Sequence, residues 1–201
     1  MRVGKNSFFR VITAGYITVI RQTPLLIQLM CWYFVGFLSI RNNSFLNLSN
    51  VVNISNKGIE LFGLNLSSEF SALLFGLSIF SSAFIAEVIR GGIQSVPVGQ
   101  WEAFRSLGIS EKQGFIKIII PQALPAFIPG LTSQYLNLAK NSTLAIAIGY
   151  ADIYAINDTI INQTGRAVEC FIILLCSFLI LNLLITKVMG IIDKSIMKTR
   201  I

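Results

Sequence analysis

The chain has 201 residues, of which 54% are hydrophobic and only 12% are charged, and it contains no histidine. This composition excludes an ordinary soluble domain and predicts a membrane protein. The lack of histidine removes the commonest general base and metal ligand, so the sequence predicts neither a catalytic site nor a metal site.

The chain has a net charge of +7, and its basic residues are distributed unevenly along the sequence. Twelve of the sixteen Lys and Arg residues lie in three segments, 1–23, 90–118 and 187–201. Because Lys and Arg accumulate in the cytoplasmic loops of membrane proteins, we expect these three segments, and therefore both termini, in the cytoplasm. The positive charge is explained in this way without a nucleic-acid partner.

Four apolar segments are predicted to cross a membrane. A hydrocarbon core about 30 Å thick requires about 20 mostly apolar residues in a helix. The segments that meet or approach this length are 24–40, 67–89, 119–139 and 168–189. We therefore predict an all-α bundle of about four spans, forming a single transmembrane domain over residues 1–201.

The first predicted span begins at Pro24, which is tolerated in a first helical turn. Segment 41–66 follows and is rich in Asn and Ser, which favour turns. We expect it to be an external loop whose apolar patch rests at the membrane interface; the patch comprises Ile59, Leu61, Phe62, Leu64 and Leu66.

The second predicted span mixes small Ser and Ala residues with bulky ones, which is typical of a helix packed inside a membrane bundle. Near its cytoplasmic end, Glu87 and Arg90 are one turn apart and are predicted to form an interfacial ion pair, with a gating role as the alternative. The pair Gly91-Gly92 is predicted to end this helix.

The loop 97–118 is predicted to contain two short helices around a glycine. Gly108 suits a left-handed helix end, and Ser110 with Gln113 forms a capping box for the second helix. Glu102 and Arg105 are predicted to pair across one turn, and one apolar stripe is formed by Val98, Trp101, Phe104 and Leu107. An amphipathic helix lying passively at the interface does not need a fixed turn, so the pattern favours a rigid elbow.

The third predicted span carries Pro121, Pro125 and Pro129, which remove backbone hydrogen bonds and are expected to bend the helix. Polar residues then cluster beyond the bend: Gln134, Asn137, Lys140, Asn141, Ser142 and Thr143. Because an ionisable group at membrane depth indicates a functional site, we expect these residues to line a solute path. The alternative is that Lys140 anchors the helix at the outer interface. Segment 144–166 is too interrupted for a further span and is expected to re-enter the bundle.

The run from Glu102 to Pro121 resembles the EAA loop of ABC-importer membrane subunits, which reads Glu-Ala-Ala, three residues, Gly, nine residues, Ile-x-Leu-Pro. Phe104 and Ile120 replace the pattern's second Ala and its Leu. Five residues match in register: Glu102, Ala103, Gly108, Ile118 and Pro121.

Other blocks narrow the resemblance to the polar amino-acid uptake family of these permeases; they are 20–26, 86–94, 121–124 and 140–145. Within that family, 133–138 and 162–165 are similar to the general L-amino-acid permease subunit of Gram-negative bacteria. Members of the family carry at least one further helix before the segment that begins here. The resemblance therefore implies that this chain is short at its N-terminus and lacks the first core helix.

The resemblance implies the type I ABC importer permease fold and a pore-forming subunit that imports L-amino acids across the bacterial inner membrane. Its implied partners are an ABC ATPase, a second permease subunit in a homo- or heterodimer, a periplasmic amino-acid-binding protein and membrane lipid. The chain has no Gly-x-x-x-x-Gly-Lys-[Ser/Thr] sequence, so ATP and Mg²⁺ are expected on the ATPase. We therefore expect neither an enzyme nor a cofactor-binding protein.

The resemblance also implies that helix 97–108 sits in a groove of the ATPase. Glu102 and Arg105 would orient the helix, Gly108 would set the turn, and three apolar side chains would fill the groove: Trp101, Phe104 and Leu107. Ala103 and Pro121 complete the implied coupling residues.

Two alternatives remain open. One is an ABC permease for another small polar or anionic solute, because Lys140 favours a carboxylate without excluding other anions. The other is an ATP-independent channel or carrier, which accounts for the apolar helices and for Lys140 but not for the elbow.

Overall fold

A computed structural model describes residues 7–39, 46–48, 52–55, 57–61 and 64–198. The α-helices are α1 Ser7–Gln22, α2 Leu25–Met30, α3 Ser68–Gln94, α4 Val98–Ser106, α5 Glu111–Gly114, α6 Ile120–Asn141, α7 Ile153–Thr164 and α8 Ala167–Lys198. Irregular helical turns extend three of them: π-helical turns at Cys31–Phe37 and Phe115–Ile119, and a 3₁₀ turn at Ser142–Ile148. The chain is mostly helical, which confirms the helical bundle of the predicted all-α class, and the short strands described below are a departure from that class.

Among the described residues, three helical segments are long and apolar enough to cross a membrane: Ser68–Gln94, Glu111–Ile148 and Ala167–Ile196. They contain the predicted spans that begin at 67, 119 and 168, apart from a residue at a boundary. The remaining predicted span, 24–40, corresponds to a shorter apolar helix over Leu25–Phe37. Its crossing of the membrane stays a prediction.

The prediction that Gly91 and Gly92 end the second span is wrong. α3 continues through both glycines to Gln94. Gly92 is buried, and a Cβ atom there would lie 2.7 Å from the Cβ and Cδ1 atoms of Phe127 on α6. The glycine therefore permits a close approach of α3 and α6, and the packing of the two helices offsets the low helix propensity of glycine.

The expected external loop contains a small antiparallel sheet. Its strands are β1 Leu46–Leu48, β2 Val52–Ser55, β3 Gly58–Leu61 and β4 Leu64–Ser67, each paired with the next. Most of the predicted apolar patch lies in β3 and β4, where Ile59 pairs with Leu66, and Phe62 lies outside the described residues. The strands have only three or four residues and three of them contain Asn, so their pattern favours a loop over a strand.

The chain forms two compact units. The first comprises Met1–Val19, Ser82–Asn137 and Asn182–Ile201, and the second comprises Ile20–Ser81 and Leu138–Leu181. The buried residues of one cluster in the first unit, here called the elbow cluster, are Val96, Phe104, Ile119 and Ala123. The second unit has its own buried core, formed by Leu25, Leu29, Phe37, Ile59, Ala72, Leu73, Ala145 and Ile148. The loop predicted as an elbow lies wholly within the first unit.

Candidate functional site

The elbow comprises α4, α5 and the π-helical turn that leads into α6, residues 98–119. Its turn is set by Gly108, whose φ is 69°. The N–H of Ile109 donates to the carbonyl of Phe104 at 3.1 Å, and the N–H of Gly108 donates to the carbonyl of Arg105 at 3.0 Å. These two bonds form a Schellman motif, in which a left-handed glycine satisfies the last carbonyls of a helix. The predicted glycine turn is confirmed.

Ser110 begins the second limb of the elbow. Its backbone is extended, with φ −61° and ψ 147°, and its side chain accepts a hydrogen bond from the N–H of Gln113 at 3.4 Å. An N-cap of this kind satisfies one of the free N–H groups at a helix start. The Ser110 half of the predicted capping box is therefore present, two residues after the glycine turn.

Phe104 lies inside the elbow. Its side chain is only 1% exposed. It faces the buried Gly114 of α5, where an added Cβ atom would lie 2.6 Å from the Cε2 atom of the Phe104 ring. The ring centroid of Trp101 is 6.0 Å from that of Phe104 and 6.1 Å from that of Phe115. The expectation that Phe104 fills a partner's groove is therefore wrong, because its ring is already covered by its own chain.

Leu107 and Val98 remain exposed, at 76% and 69%. Successive residues of a helix are about 100° apart, so a step of three residues covers about 60° less than a full turn. A stripe with a three-residue spacing therefore rotates around the helix. Over Val98 to Leu107 the rotation amounts to about half the circumference. One member of the predicted stripe therefore lies inside, while Leu107 lies beside the turn and is exposed.

Arg105 forms an ion pair across the turn. Its Nε atom lies 2.8 Å from Oε1 of Glu111, and its Nη2 atom lies 3.4 Å from Oε2. The prediction that Arg105 pairs with Glu102 is wrong, because the turn at Gly108 brings Glu111 closer. Hydrogen bonding to Glu111 raises the pKa of the Arg105 guanidinium above its ordinary value, against a smaller effect of desolvation. Both side chains are about half exposed, so the pair contributes little to stability.

The elbow is attached to the membrane helices by the elbow cluster and by one polar contact. The side-chain amide of Gln122, in the first turns of α6, donates to Oε1 of Gln100 on α4 at 3.1 Å. Val96, just after α3, and Ile119, just before α6, are buried with Phe104. Gln100 was missed because a lone polar residue on a short helix carries no pattern.

Pro121 lies at the second residue of α6 and is exposed. Before it, the N–H of Ile120 bonds to the carbonyl of Phe115, five residues back, which is the wide spacing of a π-helical turn. Pro125 and Pro129 lie inside α6, which remains a continuous helix by its hydrogen bonding. The predicted bend stays a prediction.

Glu87 and Arg90 form the predicted ion pair on α3. The guanidinium donates from Nε to Oε1 at 3.1 Å and from Nη2 to Oε2 at 2.7 Å, which is a bidentate geometry. A further donor, Nη1, bonds to the side chain of Gln94. The predicted ion pair is confirmed, while its position at the membrane interface and the alternative gating role stay predictions.

The predicted solute-path residues lie along the end of α6 and the 3₁₀ turn after it. At about 100° per residue, the four on the helix fall within about one third of its circumference: Gln134, Asn137, Lys140 and Asn141. Asn137 and Lys140 are exposed, and Lys140 forms no ion pair within the part of the chain that the structure describes.

The hydroxyl groups of Ser142 and Thr143 are used by the helix end. Ser142 Oγ donates to the carbonyl of Ala139, and Thr143 Oγ1 donates to the carbonyl of Lys140, both at 2.8 Å. Each hydroxyl thereby satisfies a carbonyl near a helix C-terminus. Only their acceptor lone pairs are left for a solute.

A second glycine turn follows the 3₁₀ segment; we call residues 145–155 the Gly149 corner. Gly149 has a φ of 77°, and Asp152 caps α7 by accepting from the N–H of Ala155 at 2.8 Å. Ala145 and Ile148, before the glycine, are buried in the core of the second unit. The segment expected to re-enter the bundle is therefore a 3₁₀ turn followed by the short helix α7.

Comparison with known proteins gives a consistent result. A family model described as "Binding-protein-dependent transport system inner membrane component" matches residues 1–198. The chain is 48% identical over 122 residues to the general L-amino acid transport system permease protein AapQ of Rhizobium johnstonii, a match covering 61% of the chain and 30% of the relative. It is 42% identical over 135 residues to the glutamate/glutamine/aspartate/asparagine transport system permease protein BztB of Rhodobacter capsulatus, covering 67% and 32%.

The fold is similar to that of a solved amino acid ABC transporter crystallised with histidines. The TM-score is 0.74 at 32% sequence identity, and the match covers 97% of this chain and 80% of the other. The chain therefore has the predicted type I ABC importer permease fold. It spans about a third of the length of the two curated relatives named above.

Proposed function

The chain belongs to the family of binding-protein-dependent transport system inner membrane components, and we propose that it is a permease subunit of an ATP-driven importer of L-amino acids. Permeases named for general L-amino acids and for glutamate, glutamine, aspartate and asparagine are among its relatives. The several long apolar helices agree with a multi-pass membrane protein.

The observation that carries the proposal is the fixed elbow at Gly108. A left-handed glycine, a capped second limb and an internal aromatic ring hold α4 in one direction, while Leu107 stays exposed beside the turn. Because the run from Glu102 to Pro121 resembles the EAA loop of ABC-importer membrane subunits, we assign the exposed Leu107 to a surface that docks in an apolar groove. We infer that this groove belongs to an ABC ATPase.

The ATPase would drive the permease because it docks on the elbow with different affinity in the two states of the permease. A partner drives a conformational change only as far as its free energy of docking differs between the two states, typically by a few kcal/mol. A stiff elbow transmits this difference to α3 and α6, to which the elbow cluster and the Gln100–Gln122 contact attach it. The exposed residues Glu102 and Ala103 on α4, with the half-buried Trp101, complete the proposed docking surface.

The basic segments 90–118 and 187–201 support a cytoplasmic elbow and C-terminus in a bacterial inner membrane. The N-terminal basic residues support the same side for the start of this chain. The proposed complex also contains a second permease subunit and a periplasmic amino-acid-binding protein, with ATP and Mg²⁺ held by the ATPase.

The proposed solute path uses the polar end of α6. Lys140 supplies a positive charge that attracts the carboxylate of an amino acid, and the neighbouring amides of Gln134, Asn137 and Asn141 supply hydrogen bonds. The acceptor oxygens of Ser142 and Thr143 complete this proposed set.

The proposal is tested by uptake in proteoliposomes. The chain is co-purified with a candidate ABC ATPase, a second permease subunit and an amino-acid-binding protein from the same genome, and the uptake of radiolabelled L-glutamate and L-leucine is measured with an excess of other anions as competitors. We expect uptake only with ATP and the binding protein, and none with an ATPase whose phosphate-loop lysine is replaced. Uptake without ATP would instead establish a channel or carrier, and competition by simple anions alone would establish a different solute.

A further inference from the structure

The inner side of the elbow is shaped around one ring. Gly114 on α5 is buried against Phe104, and an added Cβ atom would lie 2.6 Å from Cε2 and 2.7 Å from Cγ of that ring. Both atoms belong to a rigid ring and not to a flexible chain end, so the ring cannot yield without leaving its place. Gly114 itself is helical, with φ −59° and ψ −44°, so the space it leaves is the reason for a glycine here.

Phe104 also contacts both limbs of the elbow. It lies on α4, it faces Gly114 on α5, and it is buried with Val96 and Ile119, which adjoin α3 and α6. Its carbonyl accepts the Schellman bond from Ile109. One side chain therefore joins the turn, the two limbs and the membrane helices.

The EAA pattern that the loop resembles has alanine where this chain has Phe104. An alanine at this position is too small to reach across to α5, whereas phenylalanine needs the absence of a side chain at Gly114. The two residues behave as a matched pair in which a large residue on one limb occupies the space left by glycine on the other.

We propose that Phe104 is a positioning residue of the elbow, which by its ring packing against Gly114 holds the direction of α4 relative to α5. The positioning role itself does not depend on the proposed function. Its consequence does, because we expect loss of the Phe104–Gly114 packing to uncouple ATP hydrolysis from uptake. Phe104 acts through the exposed residues of α4 and does not touch the partner itself.

The test uses four variants in the complete complex: Phe104→Ala, Gly114→Ala, their combination, and Phe104→Leu. Backbone hydrogen exchange is measured at the amides of Leu107, Gly108 and Ile109, together with amino acid imported per ATP hydrolysed. Exchange reports local opening of the turn and does not depend on transport. Val98→Ala is the matched control, because it shortens an exposed apolar side chain on the same helix.

Phe104→Ala and Gly114→Ala are each expected to speed exchange at these amides by about ten-fold and to lower import per ATP several-fold. In the combined variant, Gly114→Ala has no further effect, because the ring with which its methyl group collides is absent. Phe104→Leu restores part of the protection, and the ATPase still co-purifies with every variant.

The inference would be overturned if Gly114→Ala changed hydrogen exchange equally in the presence and absence of Phe104. Unchanged exchange in both single variants would overturn it as well. Loss of the ATPase from the Phe104→Ala complex would also overturn it, since a direct partner contact predicts that result. If the unmodified complex imports no amino acid but the exchange pattern is as expected, the proposed function fails and the positioning role of Phe104 stands.

Discussion

The elbow and the Gly149 corner share the same local construction but are held in place differently. In each, a left-handed glycine, with φ 69° at Gly108 and 77° at Gly149, is followed within three residues by a side chain that caps the next helix. Neither glycine has an atom within 4 Å of an added Cβ position, so both are required by the backbone alone.

The difference lies in what is buried around each turn. The Gly149 corner is preceded by Ala145 and Ile148, which belong to the core of the second unit. The elbow is held by the Phe104 ring, and the residue next to its glycine, Leu107, is exposed. The same turn chemistry therefore serves packing in one region and, as we propose, docking in the other.

The largest expected effect comes from replacing each glycine with valine. A β-branched residue in the left-handed region costs about 1–3 kcal/mol. Gly108→Val is expected to lower import per ATP by about ten-fold with a nearly normal melting temperature, because the exposed turn relieves the strain by opening locally. Gly149→Val is expected to lower the melting temperature instead, because the strain there opposes burial of Ala145 and Ile148.

The matched controls are Gly108→Asn and Gly149→Asn, since asparagine tolerates the left-handed region. Both are expected to retain most of the import and stability measured for the unmodified chain. Full coupled import by Gly108→Val would show that the elbow does not transmit force, and equal losses of stability at the two sites would remove the distinction between them.

An intermediate effect is expected from removing the caps. Asp152 Oδ1 accepts at 2.8 Å and is a carboxylate, whereas Ser110 accepts at 3.4 Å. We expect Asp152→Ala to cost about 1–2 kcal/mol and Ser110→Ala about 0.5 kcal/mol, because a shorter, charged acceptor interacts better with the helix N-terminus.

Thermal unfolding followed by circular dichroism measures both cap variants. Asp152→Ser and Ser110→Asp serve as controls, because each keeps an N-cap acceptor while exchanging the two chemistries. A larger loss of thermal stability for Ser110→Ala than for Asp152→Ala would show that the elbow depends on its cap and not on the Phe104 ring.

The smallest expected effect is that of the ion pair across the elbow. Arg105→Gln and Glu111→Gln are each expected to change import per ATP by less than about two-fold, because both side chains are half exposed. The exchanged pair, Arg105→Glu with Glu111→Arg, should behave like the unmodified chain in the same uptake assay. A large loss that the exchange does not repair would assign Arg105 to direct contact with the partner.

Much of the elbow was predictable because its signals are short-range. A left-handed glycine and a capping serine act on residues within five positions, so Gly108 and Ser110 were identified from the chain alone. The pairing of Arg105 was predicted wrongly, because helical spacing favoured Glu102 while the turn itself supplies Glu111 as a closer partner. The solute path was identified from charge and polarity at membrane depth, and it stays a proposal.

The sequence by itself determined the apolar segments, the glycine turn at Gly108 and the cap at Ser110, since these depend on composition and on neighbours within about one turn of helix. Only the tertiary structure decided which apolar residues face inward. Phe104 and Leu107 look alike in a three-residue repeat, yet one is 1% and the other 76% exposed. The pair Gly91-Gly92 predicts a helix end, but α3 continues because Gly92 makes room for Phe127 of α6. The burial of a side chain depends on contacts with residues far away in the sequence, and local periodicity carries no information about such contacts.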